Sequence, residues 1–271
     1  MRILFIGDIY GRSGREALAQ HLPTLRKELT PDVVIVNGEN AAHGRGINEK
    51  ICKGFYELGV DIVTTGNHIW DQREVIPYIQ QSQRLIRPIN FPPGTPGKGI
   101  TEHRLNDGRI IKVINAMGRI FMDPIDDPFR CVAEILENER LGQTAHAIFV
   151  DFHGETTSEK LAFANYFDGK VSAVVGTHTH IPTADAHILK GGTGFQADAG
   201  MSGNYDSIIG AEKQVPIQRF VTKMPTDRLR PAGGEGTLCG VMLVTNDNTG
   251  KTTAIDRVSI GPVLKRYIPD I

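Results

Sequence analysis

Short apolar segments that end in glycine and polar residues recur along this chain and constrain its fold more than any other feature. Residues 2–7 form the first segment, residues 32–37 the second and residues 61–65 the third. A continuous apolar run of this length is typical of a strand that is buried on both faces of a sheet. The first part of the chain is therefore predicted to contain three strands of an α/β fold.

Segments with helical periodicity lie between and after these strands. Arg15 to Leu29 carries leucines at helical spacing, and Glu49 to Leu58 carries Ile51 and Phe55 at the same spacing. A strand–helix–strand order of this kind favours a parallel sheet with right-handed crossovers. A further helix is expected over 73–82, and a loop rich in proline and glycine is expected from 88 to 99.

The alternation of strands and helices continues beyond this loop, so we expect one domain over residues 1–271. Later strands are predicted at 110–115, 146–151, 171–175, 186–189 and 237–245, with helices at about 128–140 and 158–167. The stretch 190–236 has many glycines and weak periodicity. It is interpreted either as an ordered functional loop or as a contact in a homo-oligomer.

Charge and composition exclude several classes of protein. The formal net charge is −1 with both signs mixed along the chain, so a partner such as long nucleic acid is not expected. No apolar run is long enough to span a bilayer, and the N-terminus lacks a signal-peptide pattern. The three cysteines are far apart and predict neither a disulfide framework nor a zinc knuckle. A cytoplasmic location is therefore expected, with no membrane partner.

Polar side chains with metal-binding chemistry follow five of the predicted strands. Asp8, Glu39-Asn40 and Asn67-His68 follow the first three strands, and His153 and His178-Thr179-His180 follow two later ones. The carboxyl ends of parallel strands are where open α/β sheets bind ligands. A mixture of carboxylate, amide and imidazole ligands suits transition metals, so the sequence predicts a metal site at this edge.

The order of these blocks resembles that of the calcineurin-like metallophosphoesterases. Their blocks are Asp-x-His, Gly-Asp, Gly-Asn-His, a single His and Gly-His-x-His, and the resemblance runs from Asp8 to His180. The resemblance implies an α/β/β/α sandwich, in which two central sheets are flanked by helices. It also implies hydrolysis of phosphoric esters by a hydroxide shared between two metal ions.

Two departures from that pattern are similar to the YmdB-like branch of the superfamily. Tyr10 stands where the first block usually has His, and Glu39 stands where the second block has Asp. The segment 205–210 (Tyr-Asp-Ser-Ile-Ile-Gly) and the Gly11-x-x-Gly14-Arg15 sequence also look like that branch. The resemblance associates the branch with 2′,3′-cyclic nucleotide phosphodiesterase activity, so a small phosphodiester is the expected substrate.

The resemblance assigns a role to each of these residues. Glu39 would bridge the two metals. His68 directly follows Asn67, so its side chain is expected to face the substrate and to act as general acid. The remaining ligands would be Asp8, Asn40 and His180 around one metal, and Asn67, His153 and His178 around the other. Iron and manganese are the expected ions, divalent or trivalent, with zinc as an alternative.

Other interpretations remain open at this point. Arg12 and Arg45 are candidates for contacts with phosphate, and His43 either reaches the substrate or is a solvated loop residue. Ile69 follows His68 where the superfamily has an acid, and the nearest acid is Asp71. The alternative functions are a phosphomonoesterase or protein phosphatase, and a non-catalytic nucleotide-sensing protein.

Overall fold

The computed structural model describes residues 1–271, with six helices and eleven strands. The helices are α1 (Gly11–Leu29), α2 (Glu49–Glu57), α3 (Val75–Gln81), α4 (Pro128–Leu136), α5 (Thr157–Tyr166) and α6 (Gln214–Thr222). The strands are β1 (Arg2–Ile6), β2 (Val33–Asn37), β3 (Ile62–Thr64), β4 (Ile100–Arg104), β5 (Ile110–Met117), β6 (Ala147–His153), β7 (Ala173–Thr177), β8 (His187–Ile188), β9 (Gly194–Gln196), β10 (Leu238–Thr245) and β11 (Thr252–Ile260). No helix is both long and apolar enough to cross a membrane.

The strands form two sheets. The first has the order β11-β10-β1-β2-β3, and the second has the order β4-β5-β6-β7-β9-β8. Strands β1, β2 and β3 are parallel, as are β5, β6, β7 and β9. The predicted parallel core is therefore confirmed, but both sheets are mixed because β10, β11, β4 and β8 pair in antiparallel fashion.

Three hydrophobic clusters separate four layers of structure. Alternate residues of β1 point to opposite faces, so Ile3 and Phe5 join the cluster between the sheets while Leu4 joins the cluster beneath α1. Phe5 meets Phe149 of β6 with ring centroids 5.0 Å apart, which joins the two sheets. A third cluster packs β6 against α4 and α5. The order is helix, sheet, sheet, helix, which confirms the predicted α/β/β/α sandwich.

The structure differs from the predicted elements mainly at the edges. Strands β4 and β11 lie at the outer edges of their sheets, and their polar, half-exposed sequences lack the apolar signal of a central strand. No strand was predicted after 237–245, but β11 follows β10 there. Helix α1 begins at Gly11 rather than Arg15, because its first turn packs through small buried residues such as Ser13 and Gly14. Helix α6 and strand β9 lie inside the stretch where no regular structure was predicted.

Candidate metal centre and active-site cavity

The carboxyl ends of β1, β2, β3, β6 and β7 bring the predicted metal ligands together. Ligand atoms of Glu39, His153 and His178 lie within 4.8 Å of one another, and so do those of Asp8, Glu39 and His180. Glu39 belongs to both groups, which is the geometry that a bridging carboxylate requires. Glu39, Asp8 and His153 are fully buried, so their charges and dipoles act on one another with little screening by water.

Two of these residues have buried oxygen atoms that lack any hydrogen-bond partner. They are Asp8 Oδ1 and Asn40 Oδ1. Leaving a buried polar atom unpaired costs about 1–3 kcal/mol, so natural proteins rarely do so without a ligand or a functional reason. Oxygen atoms of this kind are suitable metal ligands. The residues present therefore fit a pair of metal ions, with one oxygen-rich group around Asp8 and Asn40.

The three histidines each have one ring nitrogen bonded to a protein partner and the other facing the cluster. The partners are Thr177 Oγ1 at 2.9 Å for Nδ1 of His153, Glu155 Oε2 at 3.2 Å for Nε2 of His178, and the Ile209 carbonyl at 2.8 Å for Nδ1 of His180. A partner of this type fixes the tautomer and the orientation of a metal-binding imidazole. The remaining nitrogens are near other predicted ligands, as shown by the distance of 2.9 Å from His153 Nε2 to Asn67 Oδ1.

Asp151 supports His153 from beneath the cluster. Thr177 donates its hydroxyl to Asp151 Oδ1 at 2.7 Å, which leaves the hydroxyl oxygen to accept from His153 Nδ1. The His153 Nε2 lone pair then faces the cluster. Asn37 of β2 and Thr64 of β3 also donate to Asp151, so this carboxylate ties the two sheets together directly below the site.

The turn after β7 has an unusual backbone. His178 and His180 have φ angles of 100° and 70°, which are in the region that favours glycine. Each such residue costs on the order of 1–3 kcal/mol and is found mainly at functional sites. Asp198 stabilises the turn by accepting hydrogen bonds from both the backbone nitrogen and the hydroxyl of Thr179, at 3.0 and 2.8 Å. Lys160 neutralises Asp198 with a contact of 2.9 Å.

Within the cluster the pKa of His153 is raised, whereas the pKa of His178 is lowered. Burial lowers the pKa of His153, but the carboxylates of Glu39, Asp8 and Asp151 outweigh burial and raise it to about 9. Burial and the nearby charge of His153 lower the pKa of His178 to about 3. In the metal-free protein His153 therefore carries a proton, and a metal cation would have to displace that proton in order to bind.

His68 lies beside the cluster on the loop after β3. Its Nδ1 is 3.0 Å from Asp71 Oδ2, and its backbone nitrogen donates to Glu39 Oε2 at 3.2 Å. The acid that orients His68 is therefore Asp71, three residues later along the chain. Gly66 precedes the Asn67-His68 pair, and any side chain at Gly66 would collide with Glu39 and His153.

A cavity of about 350 Å³ opens above the cluster. Tyr10 and Arg45 line it, whereas Arg12 lies elsewhere, with a surface ion pair to Glu16 at 2.6 Å. His43 is exposed and is not among the lining residues. The structure thus keeps Arg45 as a candidate for phosphate contact and removes Arg12 and His43 from the site.

Several supporting residues were not identified from the sequence. Glu155 lies only two residues after His153 in the same short motif, so its position along the chain was a usable signal. Lys160 and Asp198 gave no such signal, because they meet only through the fold, 38 positions apart. The stretch 190–236 is ordered and contributes Ile208, Ile209 and part of α6 to the cavity.

Comparisons with known proteins agree with this geometry. A family model described as YmdB-like protein matches residues 4–258. A 2′,3′-cyclic-nucleotide 2′-phosphodiesterase from Bacillus subtilis strain 168 is 48% identical over 260 residues, which are 96% of this chain and 97% of that protein. A putative phosphatase/phosphodiesterase from Mycoplasma pneumoniae is 33% identical over 99% of this chain and 96% of that protein.

Two crystal structures have the same fold. A hypothetical protein from Thermus thermophilus superposes with a TM-score of 0.89 at 44% identity, covering 96% of this chain and 99% of that one. A phosphatase from Mycoplasma pneumoniae also superposes with a TM-score of 0.89, at 31% identity, covering 96% of this chain and 93% of that one. Because the match extends over the two sheets and every block of the cluster, the chain belongs to the YmdB-like family of metallophosphoesterase-fold enzymes.

Proposed function

We propose that this enzyme hydrolyses phosphodiesters, that 2′,3′-cyclic nucleotides are its substrates, and that it requires two transition-metal ions. The observation that carries the proposal is the pair of ligand groups that share Glu39 at the floor of one cavity. The named activity of the Bacillus subtilis relative supports the choice of a cyclic phosphodiester. Iron or manganese would suit the mixed oxygen and nitrogen ligands, with zinc as the alternative.

The proposed ligands divide into two sets around Glu39. Asp8, Asn40 and His180 would hold one ion, and Asn67, His153 and His178 would hold the other. When bound, two such ions supply positive charge for the phosphoryl oxygens and lower the pKa of a water nucleophile. The side chains of the cavity must then orient the diester and protonate the leaving oxygen.

His68 is the proposed general acid. In hydrolysis of a 2′,3′-cyclic nucleotide, a water oxygen forms the new bond to phosphorus while the bond from phosphorus to the ribose 2′ oxygen breaks. The alkoxide is a strongly basic leaving group, so a proton from the His68 imidazolium would accelerate this step by about 10²–10⁴-fold. The carboxylate of Asp71, 3.0 Å from Nδ1, orients the imidazole ring and leaves Nε2 for the cavity that His68 lines.

Arg45 is the proposed contact for a phosphoryl oxygen. It lines the same cavity as Glu39 and His68, and a guanidinium can form two parallel hydrogen bonds to phosphate. The role of Arg45 is to orient the diester so that the leaving oxygen faces His68. Its removal should therefore raise KM more than it lowers kcat.

The test of the proposal compares two substrates in His68→Ala. Hydrolysis of 2′,3′-cyclic AMP should fall by about 10²-fold or more, because its alkoxide needs a proton. Hydrolysis of bis-p-nitrophenyl phosphate should fall much less, because nitrophenolate leaves without one. Metal content, measured by elemental analysis, should stay the same as in the wild type. If both substrates slow equally at full metal content, His68 is not the general acid.

A second comparison, made with the wild type, separates a diesterase from a monoesterase. The wild type is expected to hydrolyse bis-p-nitrophenyl phosphate much faster than p-nitrophenyl phosphate. The opposite preference would support the phosphomonoesterase alternative and would contradict the proposed reaction.

Asp71→Asn should show the same substrate dependence as His68→Ala, but with a smaller loss of activity, because the imidazole is retained.

A further inference from the structure

The outer wall of the active-site cavity is apolar, whereas its floor is polar. The floor is formed by the metal-binding cluster, including Glu39 and His180. The wall is formed by Ile208, Ile209, Pro216, Phe220 and Leu229. An apolar wall contributes nothing to binding a phosphoryl group, so this part of the cavity is suited to a different portion of the substrate.

Helix α6 presents one of its faces to the cavity. Pro216, Arg219 and Phe220 all line it, and their spacing of three and four residues places them on the same side of a helix. The Nε and Nη2 atoms of Arg219 donate to Thr226 Oγ1 at 3.1 and 3.0 Å, which ties the helix to the loop that follows. The backbone that carries Phe220 is thus attached to the rest of the cavity wall at two points, through buried Pro216 and through this bond.

Phe220 is 68% exposed although it borders a cavity. Keeping an aromatic ring in water forgoes the stabilisation that burial would give, which is about 1.5–3 kcal/mol for a side chain of this size. A planar ligand that stacks on the ring would remove that exposure. The cavity volume of about 350 Å³ lies within the range of sites for small organic ligands, so it offers room beyond a phosphate.

We infer that this wall is a nucleobase subsite, in which the base of the substrate stacks on Phe220 while its phosphate lies on the metal-binding floor. The inference rests on the proposed function and extends it to the part of the substrate that does not react. The apolar side chains of the wall have no groups that read base edges, and Nε and Nη2 of Arg219 already donate to Thr226, so both purines and pyrimidines should bind. Purines should bind more tightly, because they offer a larger face for stacking.

The test compares substrates that share the cyclic phosphate and differ in the base. The probes are 2′,3′-cyclic AMP, 2′,3′-cyclic CMP and glycerol 1,2-cyclic phosphate, which has no base. In the metal-loaded wild type, KM should rise in that order. Phe220→Ala should raise KM for cyclic AMP about tenfold, in the lower part of the range for base–aromatic stacking. It should leave kcat/KM for glycerol cyclic phosphate unchanged, and Phe220→Trp should retain the wild-type KM for cyclic AMP.

Two control variants test whether the effect belongs to the cavity. Val221→Ala changes the neighbouring residue of α6, which is 78% exposed and does not line the cavity. Phe121→Ala removes an equally large ring that is 86% exposed and lies outside the cavity. Both should match the wild type on all three substrates. An unchanged KM in Phe220→Ala, or a change only in its association state on size-exclusion chromatography, would overturn the subsite.

Equilibrium binding separates failure of the subsite from failure of the proposed function. Adenosine 3′-monophosphate and inorganic phosphate are titrated calorimetrically into the metal-loaded wild type and Phe220→Ala. The variant should bind the nucleotide about tenfold more weakly and bind phosphate equally well. This result supports the subsite even if no cyclic phosphate is hydrolysed, which would contradict only the proposed reaction. Equal nucleotide affinity in the two proteins would refute the subsite whatever the activity.

Discussion

The buried pair of Lys160 and Asp198 should be essential to the stability of the turn that carries His178 and His180. Lys160 Nζ lies 2.9 Å from Asp198 Oδ2 and donates to the Thr177 carbonyl at 2.8 Å, and both side chains are almost fully buried. Lys160→Met keeps an unbranched side chain and removes the charge together with its hydrogen-bond donors. It leaves Asp198 as an uncompensated buried anion, so the free energy of unfolding should fall by about 3–5 kcal/mol.

Urea denaturation of the chelated protein measures this loss without a contribution from metal binding. The matched control is Lys170→Met, an exposed lysine just beyond α5, which should change stability by less than about 0.5 kcal/mol. The double variant Lys160→Met/Asp198→Asn removes both charges together. It should be more stable than Lys160→Met alone, because no unpaired ion remains in the interior.

Metal affinity provides a second measurement for the same variants. Asp198 accepts from Thr179, which lies between the two residues with strained φ angles, His178 and His180, so Asp198 stabilises their turn. Lys160→Met should therefore weaken metal binding as well as folding, whereas Lys170→Met should not. A stability loss below about 1 kcal/mol in Lys160→Met would refute the proposed coupling. So would losses in Lys160→Met and in the single variant Asp198→Asn that simply add in the double variant.

Three further predictions follow from the metal-binding cluster. Purified protein should carry close to two transition-metal ions per chain. Glu39→Ala should lower the content of both ions, whereas Tyr10→Phe should leave the metal content unchanged. Elemental analysis of the three proteins measures this content. Gly66→Ala should lose metal and activity, because its new methyl group meets Glu39 and His153, and retention of both would show that the loop can move. The pKa of His153 is raised to about 9. In the chelated protein the protonation of His153 therefore contributes its full stabilisation of the fold below about pH 6.5, and this stabilisation is lost as the pH rises through 9. The melting temperature should fall over that interval by more than in His153→Gln, and a parallel fall in the two proteins would contradict this account.

The sequence predicted the central strands and the ligand blocks because both have local signals. An apolar run such as β2 is recognisable wherever it lies, and the polar residues that follow it occupy a predictable edge of the sheet. The division of the ligands into two groups that share Glu39 was implied by the family resemblance and was not predicted from the spacing of the residues. The metal-binding and catalytic roles of these residues stay predictions, as do the cytoplasmic location, the single domain over 1–271 and any homo-oligomer.

The features that sequence could not provide depend on contacts between distant segments. Helix α6 contains Pro216 and has little buried surface, so neither its periodicity nor its composition separated it from the surrounding loop. Strand β11 lies at the sheet edge, where β10 is its one neighbouring strand, and carries polar residues that fit a loop equally well. The Lys160–Asp198 pair is evident only once α5 packs against the turn after β7.

The two departures from the superfamily pattern are consistent with each other in the structure. Glu39 has one more methylene than the usual Asp, and its Oε2 lies against Gly66, the glycine of the Gly-Asn-His block, where any side chain would collide with it. Tyr10 replaces a usual His, and its ring packs edge-on against His180 with centroids 5.4 Å apart. Asn40 has an unpartnered buried oxygen in the same ligand group, which can take the coordination position that the missing imidazole would fill. The proposed set of ligands thus stays complete, because the neighbouring amide of Asn40 would replace the ligand that Tyr10 removes.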